Sequence, residues 1–242
     1  MADAAALGAG RSISIVLPAF NEEENVERQV AAVDAVCREL RFDDWEILVV
    51  DDGSRDRTRA VCEGLRERFP KLKLLVHETN QGYAKALRTG FTSATKPWVF
   101  YTDCDNQFDV RELAILLPLL ADADIVCGFR IYRFDPFTRL VLSWGYNLLV
   151  RVLFQIRVRD VDCAFKLFRR EVFDKVHIES KKFFVDTEIL AKASKVGLRM
   201  TEVGVRHYPR TAGSSTVRPS HILSTLGEIA SMWTDIYVRG RI

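Results

Sequence analysis

The chain has few of the features that usually narrow a protein's class. Its five cysteines (Cys37, Cys62, Cys104, Cys127 and Cys163) are scattered, odd in number and form no C-x-x-C pair. That excludes a disulfide frame and a zinc site, and reads as reduced thiols of a cytoplasmic protein. No stretch reaches the ~18 apolar residues of a spanning helix; the longest uncharged run covers 140–150. The opening MADAAALGAG lacks the basic and apolar regions of a signal peptide, so 1–10 is expected to be a flexible tail. A G-x-G-x-x-G after the first strand is missing, as is G-x-x-x-x-G-K-[ST], so dinucleotide and P-loop readings lose their main support. Internal repeats and low-complexity linkers are missing too. The net charge is only +2, which argues against a general nucleic-acid binder.

The 242 residues suit one domain, or one domain with an appended segment. With 48% hydrophobic and 28% charged residues, the chain can fill a core and is not disordered. Charge is uneven: residues 199–242 carry six arginines against Glu202, Glu228 and Asp235.

Apolar runs of strand length (12–20, 45–52, 72–78, 97–103, 123–130) alternate with helix-length amphipathic segments at about 23–40, 56–68, 82–94 and 110–120. This alternation predicts a parallel, three-layer α/β sheet. Such sheets bind ligands beyond the carboxyl ends of their strands. Three strands end alike, in PAFNEE, VVDDGSRD and YTDCDNQ, which gathers acids and turn-formers on one edge. Residues 136–158 form one helix-length segment whose polar stripe is Arg139, Ser143, Asn147, Arg151 and Gln155. The rest of its circumference is apolar, so it is either buried or against lipid. A last amphipathic helix spans 221–237.

Asp103, Asp105 and Gln107 form D-x-D-x-Q at the mouth of an apolar strand. Like charges this close repel unless something positive lies between them. Mg²⁺ or Mn²⁺ takes such hard oxygens together with substrate phosphates; the plainer reading is a solvated acidic turn. Asp51 and Asp52, before Gly53 and Ser54, suit a ribose or base edge, or a strand-to-helix turn with a cap. Gln81, Gly82 and Lys85 offer backbone donors and a cation to phosphate, or an ordinary helix entry. Asp160, Asp162 and Lys166 surround an apolar Cys-Ala-Phe, the alternative being a charged strand rim. The polar loop at 210–215 can fold over an anion or be a simple surface loop.

In order, PAFNEEENV, VVDDGSRDRT, NQGYAKAL, TDCDNQ, RDVDCAFKLF, DTEIL and HYPRTAGSS resemble the family 2 glycosyltransferases, over about 12–215. The R-x-x-x-S-x-x-x-N helix before VRD and the step from Asp160 to Lys166 resemble the polyprenyl-phosphate hexose synthases, the dolichyl-phosphate mannose synthase group. The resemblance implies a GT-A fold over 11–215, a Rossmann-like three-layer sandwich with a mostly parallel central sheet. Residues 216–242 would follow as a C-terminal amphipathic helix, with 136–158 facing the membrane. The implied activity is inverting transfer of a hexose from a nucleotide-diphosphate sugar, of the UDP-glucose or GDP-mannose type, to a dolichyl or undecaprenyl phosphate. Pro18, Ala19, Asn21, Glu22, Asp51 and Asp52 would line the base and ribose pocket, with Gln81, Gly82, Lys85, Asp103 and Cys104 flanking the nucleotide. Asp103, Asp105 and Gln107 would hold Mg²⁺ or Mn²⁺. Arg130, Lys166, Arg210 and Ser143 would receive the acceptor phosphate, and Asp160 and Asp105 would be catalytic. Ala164 departs from the glycine many relatives carry, and the transmembrane helices many append are not seen. The resemblance therefore implies a peripheral enzyme at the cytoplasmic face, seated by the 136–158 helix, the Trp233 face and the basic end, or by a membrane partner or self-association. The rival readings are a saccharide or protein hydroxyl acceptor, a nucleotide-sugar-binding module without turnover, and a receiver-like or phosphatase α/β domain using the acid cluster with Mg²⁺, which leaves RDVDCAFKLF and RTAGSS unexplained.

Overall fold

The computed structural model describes residues 11–131, 137–180, 184–209 and 222–242. The expected tail at 1–10 and the loop at 210–215, with Arg210, lie outside them. Seven strands form one sheet: β1 Ser12–Ala19, β2 Asp44–Asp51, β3 Leu72–Val76, β4 Trp98–Thr102, β5 Ile125–Arg130, β6 Phe165–Arg169 and β7 Met200–Val205. Their spatial order is β3-β2-β1-β4-β6-β5-β7, and only β6 runs antiparallel to its neighbours.

Helices α1 Val26–Glu39, α2 Thr58–Leu65 and α3 Tyr83–Ser93 follow the first three strands. The path from β1 through β3 moves one way along the sheet, and the step to β4 returns past β1. Right-handed crossovers then put α1 and α2 on one face and α3 on the other. The reversal sets a crevice between the carboxyl ends of β1 and β4, the switch point at which α/β sheets bind ligands. Strands β1, β2 and β4 are buried almost throughout, which is why their sequences read as continuous apolar runs rather than alternating ones.

The expected helix at 110–120 is broken into a 3₁₀ turn Val110–Glu112, one α-turn α4 Leu113–Leu116 and a second 3₁₀ turn Leu117–Ala121 that contains Pro118. Proline has no N–H to give and clashes with the preceding turn. Later come α5 Phe137–Phe154, α6 Val172–Lys175, α7 Val185–Lys195 and α8 Ile222–Trp233, which runs on into a π-turn Thr234–Val238. All five cysteines are buried free thiols. No helix among the described residues is long and apolar enough to cross a membrane.

Helix α5 presents part of its apolar circumference outward. Its polar Asn147 is buried, while Trp144 and Val152 are 68% and 69% exposed and Val141, Leu142 and Leu148 are also exposed. Of the polar stripe, Asn147 points inward while Arg151 and Gln155 are exposed, and an apolar stripe faces out.

Candidate active site

The loops after β1 and β2 are joined by side chains, because strand pairing ends at Ala19 and Asp51. The backbone N–H groups of Asn21, Glu22 and Glu23 donate to Ser54 Oγ (2.9 Å), Thr58 Oγ1 (2.8 Å) and Asp56 Oδ2 (3.1 Å). Asn21 Oδ1 accepts from the Arg55 N–H at 2.8 Å. Short polar side chains give this backbone partners that regular structure would otherwise supply. Asn21 sits at φ 57°, which asparagine tolerates better than most residues. Asp51 accepts from the Ser54 N–H at 3.0 Å, closing the turn.

Asp52 is buried and fully engaged. Its carboxylate accepts from the Gln81 N–H (2.9 Å) and Gly82 N–H (2.8 Å) and pairs with His77 Nδ1 at 2.6 Å. It therefore pins the loop that enters α3. Two glycines make this approach possible. A Cβ on Gly53 would lie 2.5 Å from the Asn80 nitrogen, and Gly82 caps α3 at φ 92°, a conformation strained for any other residue. Lys85 lies one turn into α3, half-buried.

After β4, Asp103 accepts from the Tyr83 hydroxyl at 2.9 Å. Asp105 is buried, and its Oδ1 accepts from the Gln107 N–H at 3.1 Å. The Gln107 side-chain nitrogen donates to the Tyr208 carbonyl at 3.0 Å, and the Tyr208 N–H returns a bond to the Gln107 carbonyl at 2.8 Å. The acidic loop is thereby latched to the segment that leaves β7. With the amide anchored through nitrogen, its oxygen is the end available as a ligand. Two carboxylates and an amide oxygen are the hard donors that Mg²⁺ and Mn²⁺ take, so these residues fit such an ion. Among the described residues no three His, Cys, Asp or Glu side chains converge as an all-protein cage; small divalent cations commonly complete such sites with substrate phosphates. The Cys104 side chain belongs to the hydrophobic core, so only its backbone can face a nucleotide.

The other half of the site comes from β5, α5 and the turn before β6. Asp160 is buried and Arg130 largely so, with Nε and Nη2 each 2.7 Å from a carboxylate oxygen. Burial opposes the guanidinium charge, but the Asp160 carboxylate outweighs it and holds Arg130 above its ordinary pKa. Asn147 accepts from the Val161 N–H at 2.8 Å, so the inward face of α5 fixes this turn, and its amide donates to the Ser143 carbonyl at 2.9 Å. Asp162, next but one in the same turn, is exposed. The protein crowded around its carboxyl, with the Asp186 charge, pushes its pKa up to about 7.

Lys166 is where the structure departs most from the expectation of an acceptor-phosphate ligand. Its side chain is fully buried and committed to Asp186 (2.7 Å) and the Cys163 carbonyl (2.5 Å). The central strand β6 carries it into the sheet, away from the site's surface.

A family model described as glycosyl transferase family 2 matches residues 14–177. The chain belongs to that family. Among its family 2 relatives, glycosyltransferase AglD of Haloferax volcanii is 32% identical, over 99% of this chain but 40% of its own length. A dolichyl-phosphate beta-glucosyltransferase of Dictyostelium discoideum is 28% identical over 80% of this chain and 65% of its own. The polyprenol monophosphomannose synthase of Mycolicibacterium smegmatis is 28% identical over 94% of this chain and 88% of its own. This chain thus spans less than half of the first, about two thirds of the second and most of the third. Among solved structures, glucosyl-3-phosphoglycerate synthase of Mycobacterium tuberculosis with phosphoglyceric acid superposes with a TM-score of 0.69 at 19% identity, covering 93% of this chain and 80% of that one. That likeness establishes the fold as GT-A.

Within this family 2 chain, the sequence reading missed Tyr83, Tyr101, His77 and Asp186. Asp186 stood in the DTEIL motif without a role. The tyrosines gave no signal, since an aromatic in an apolar strand or at a helix start reads as core.

Proposed function

We propose that this chain transfers a hexose from a nucleoside-diphosphate sugar, of the UDP-glucose or GDP-mannose type, to a polyprenyl phosphate at the cytoplasmic membrane surface. The observation that carries the acceptor is the orientation of α5. Asn147 on its inner face fixes the turn of Asp160 while Trp144 and Val152 on its outer face stand in solvent, so an apolar surface lies directly behind the site. The relatives' names, dolichyl-phosphate and polyprenol sugar transferases, point the same way.

On the donor side, Asp103, Asp105 and Gln107 would hold Mg²⁺ or Mn²⁺ and the diphosphate. Mn²⁺ and UDP occur together in a structure of the M. tuberculosis synthase that superposes with a TM-score of 0.62. Bound there, the cation would offset the negative charge that develops on the departing nucleoside diphosphate. Pro18, Ala19, Asn21, Glu22, Asp51, Gln81, Gly82 and Lys85 would border the nucleotide, with Asp52 acting through the loop it pins. The acceptor phosphate oxygen attacks the anomeric carbon, forming the new C–O bond as the bond to the β-phosphate oxygen breaks, with inversion. A phosphate is already anionic near neutral pH, so no strong base is needed. Arg130 has five N–H donors, of which Asp160 engages the Nε and Nη2 groups. Its remaining edge, with Ser143 and Arg210, would meet the acceptor phosphate, and Asp160 acts by orienting Arg130. Lys166 drops out of that set because of its burial.

Asp105→Ala is expected to reduce transfer to near background while melting temperature and circular dichroism stay as in wild type. An active variant that no longer requires metal would remove this donor-site assignment.

A further inference from the structure

We propose that Tyr83, Tyr101, Asp186 and Lys166 form a largely buried positioning unit that joins Asp103, on the donor side, to the turn that carries Asp160, on the acceptor side. The inference rests on the donor reading given above for Asp103.

Lys166 on β6 faces Tyr101 on β4 and Cys127 on β5 across the sheet. Its ammonium group has three protons and three acceptors: the Cys163 carbonyl at 2.5 Å, Asp186 Oδ1 at 2.7 Å and the Tyr101 oxygen at 3.4 Å. Tyr101 has a single proton and donates it to Asp186. The Tyr83 phenol interacts with the Tyr101 side chain and donates its own proton to Asp103 at 2.9 Å. At the far end, Cys163 belongs to the turn of Asp160, whose carbonyl accepts from the Cys163 N–H at 3.3 Å.

A polar unit of this kind in a sheet centre is not needed for stability. Well-packed apolar residues of similar volume commonly serve a core as well as a buried ion pair does. What such residues cannot do is fix the rotation of the Asp103 carboxylate relative to a turn on a different strand. The Tyr83 hydroxyl, set against a Tyr101 that Lys166 and Asp186 hold in place, does so.

The test uses the whole chain and reads Mn²⁺ binding by electron paramagnetic resonance, with UDP or GDP present, alongside thermal melting and the split between kcat and KM. Tyr83→Phe removes one hydroxyl and is expected to weaken Mn²⁺ binding by about 3- to 10-fold, the size of one hydrogen bond, at unchanged melting temperature. Lys166→Met alone leaves Asp186 a buried unpaired charge and should destabilise the chain. The double variant Lys166→Met, Asp186→Leu removes both charges and should recover stability, yet still bind Mn²⁺ weakly and show a raised acceptor KM. Wild-type metal affinity and kinetics in Tyr83→Phe and the stable double variant would reduce the unit to an internal ion pair. If the double variant does not fold, Tyr83→Phe alone decides. A wild-type chain that binds no Mn²⁺ with either nucleotide overturns the donor reading and this inference together. Wild-type binding lost in Asp105→Ala but intact in Tyr83→Phe overturns this inference alone.

Discussion

Replacing Asp160 by asparagine tests how the two halves of the site are held. The carboxylate accepts two 2.7 Å bonds from the Arg130 side chain and a longer one, at 3.3 Å, from its backbone N–H. Asparagine keeps the shape but only one acceptor oxygen, and its NH₂ group is turned towards a guanidinium N–H. Arg130 is left charged and buried without its partner. Breaking a buried pair from one side costs about 3–5 kcal/mol. In a chain of this length each kcal/mol moves the melting temperature by about 2–4 °C, so a drop on the order of 10 °C is expected in a thermal scan. Transfer should fall by more than tenfold even at low temperature, where the variant is folded, because Arg130 is no longer oriented. Asp160→Glu, which retains the charge, should recover part of the stability. If Asp160→Asn melts within about 1 °C of wild type and keeps most of its turnover, both the structural and the positioning role are refuted.

Three further outcomes follow from the same structure. Burial works to raise the pKa of Glu46, but Lys73 and the hydrogen bonds from Ser14 and Thr95 outweigh it and bring the value to about 2. A lowered carboxylate pKa contributes stability above the unfolded value of about 4.3. That stability is lost as pH falls towards 2, so acid unfolding of wild type should be steeper across this window than that of Glu46→Gln. Asp162, its pKa raised to about 7, gains a negative charge above neutral pH two residues from Asp160; if the acceptor phosphate docks at Arg130 as proposed, its KM should rise there in wild type but not in Asp162→Asn, and coincident profiles would contradict this. Trp144→Ser with Val152→Ser removes two exposed apolar side chains, about 3 kcal/mol of burial if both enter lipid, so sedimentation with anionic vesicles should weaken about 100-fold.

Much of the fold was legible because fully buried parallel strands leave unbroken apolar runs, as in 12–20 and 45–52. Strands β6 and β7 were not recognised. FKLFR places a lysine in the middle of an apolar strand, and only the Asp186 partner, twenty residues on, makes that tolerable. MTEVGV is only half-buried and shows no clean run. At the site, residue types and sheet edge were readable, but whether a carboxylate faces a ligand or the protein was not. Asp52 and Lys166 carry the charges expected of ligand contacts, and both are consumed internally. Asn147 shows the reverse: one residue of a polar stripe is buried and holds a backbone N–H, while Arg151 and Gln155 of the same stripe are exposed. Such directions depend on partners distant in sequence, which spacing within one motif does not encode.

The central claim is that the sugar passes to a lipid phosphate under divalent-metal control. The most direct measurement follows label from one radiolabelled UDP- or GDP-hexose at a time in detergent, offering polyprenyl phosphate, the matching polyprenol and a free saccharide, with Mg²⁺ or Mn²⁺ and with chelator. The account predicts label in the polyprenyl-phosphate product alone, from one donor, and only with metal present. Label on the saccharide or the polyprenol, or lipid label that survives the chelator, would contradict it.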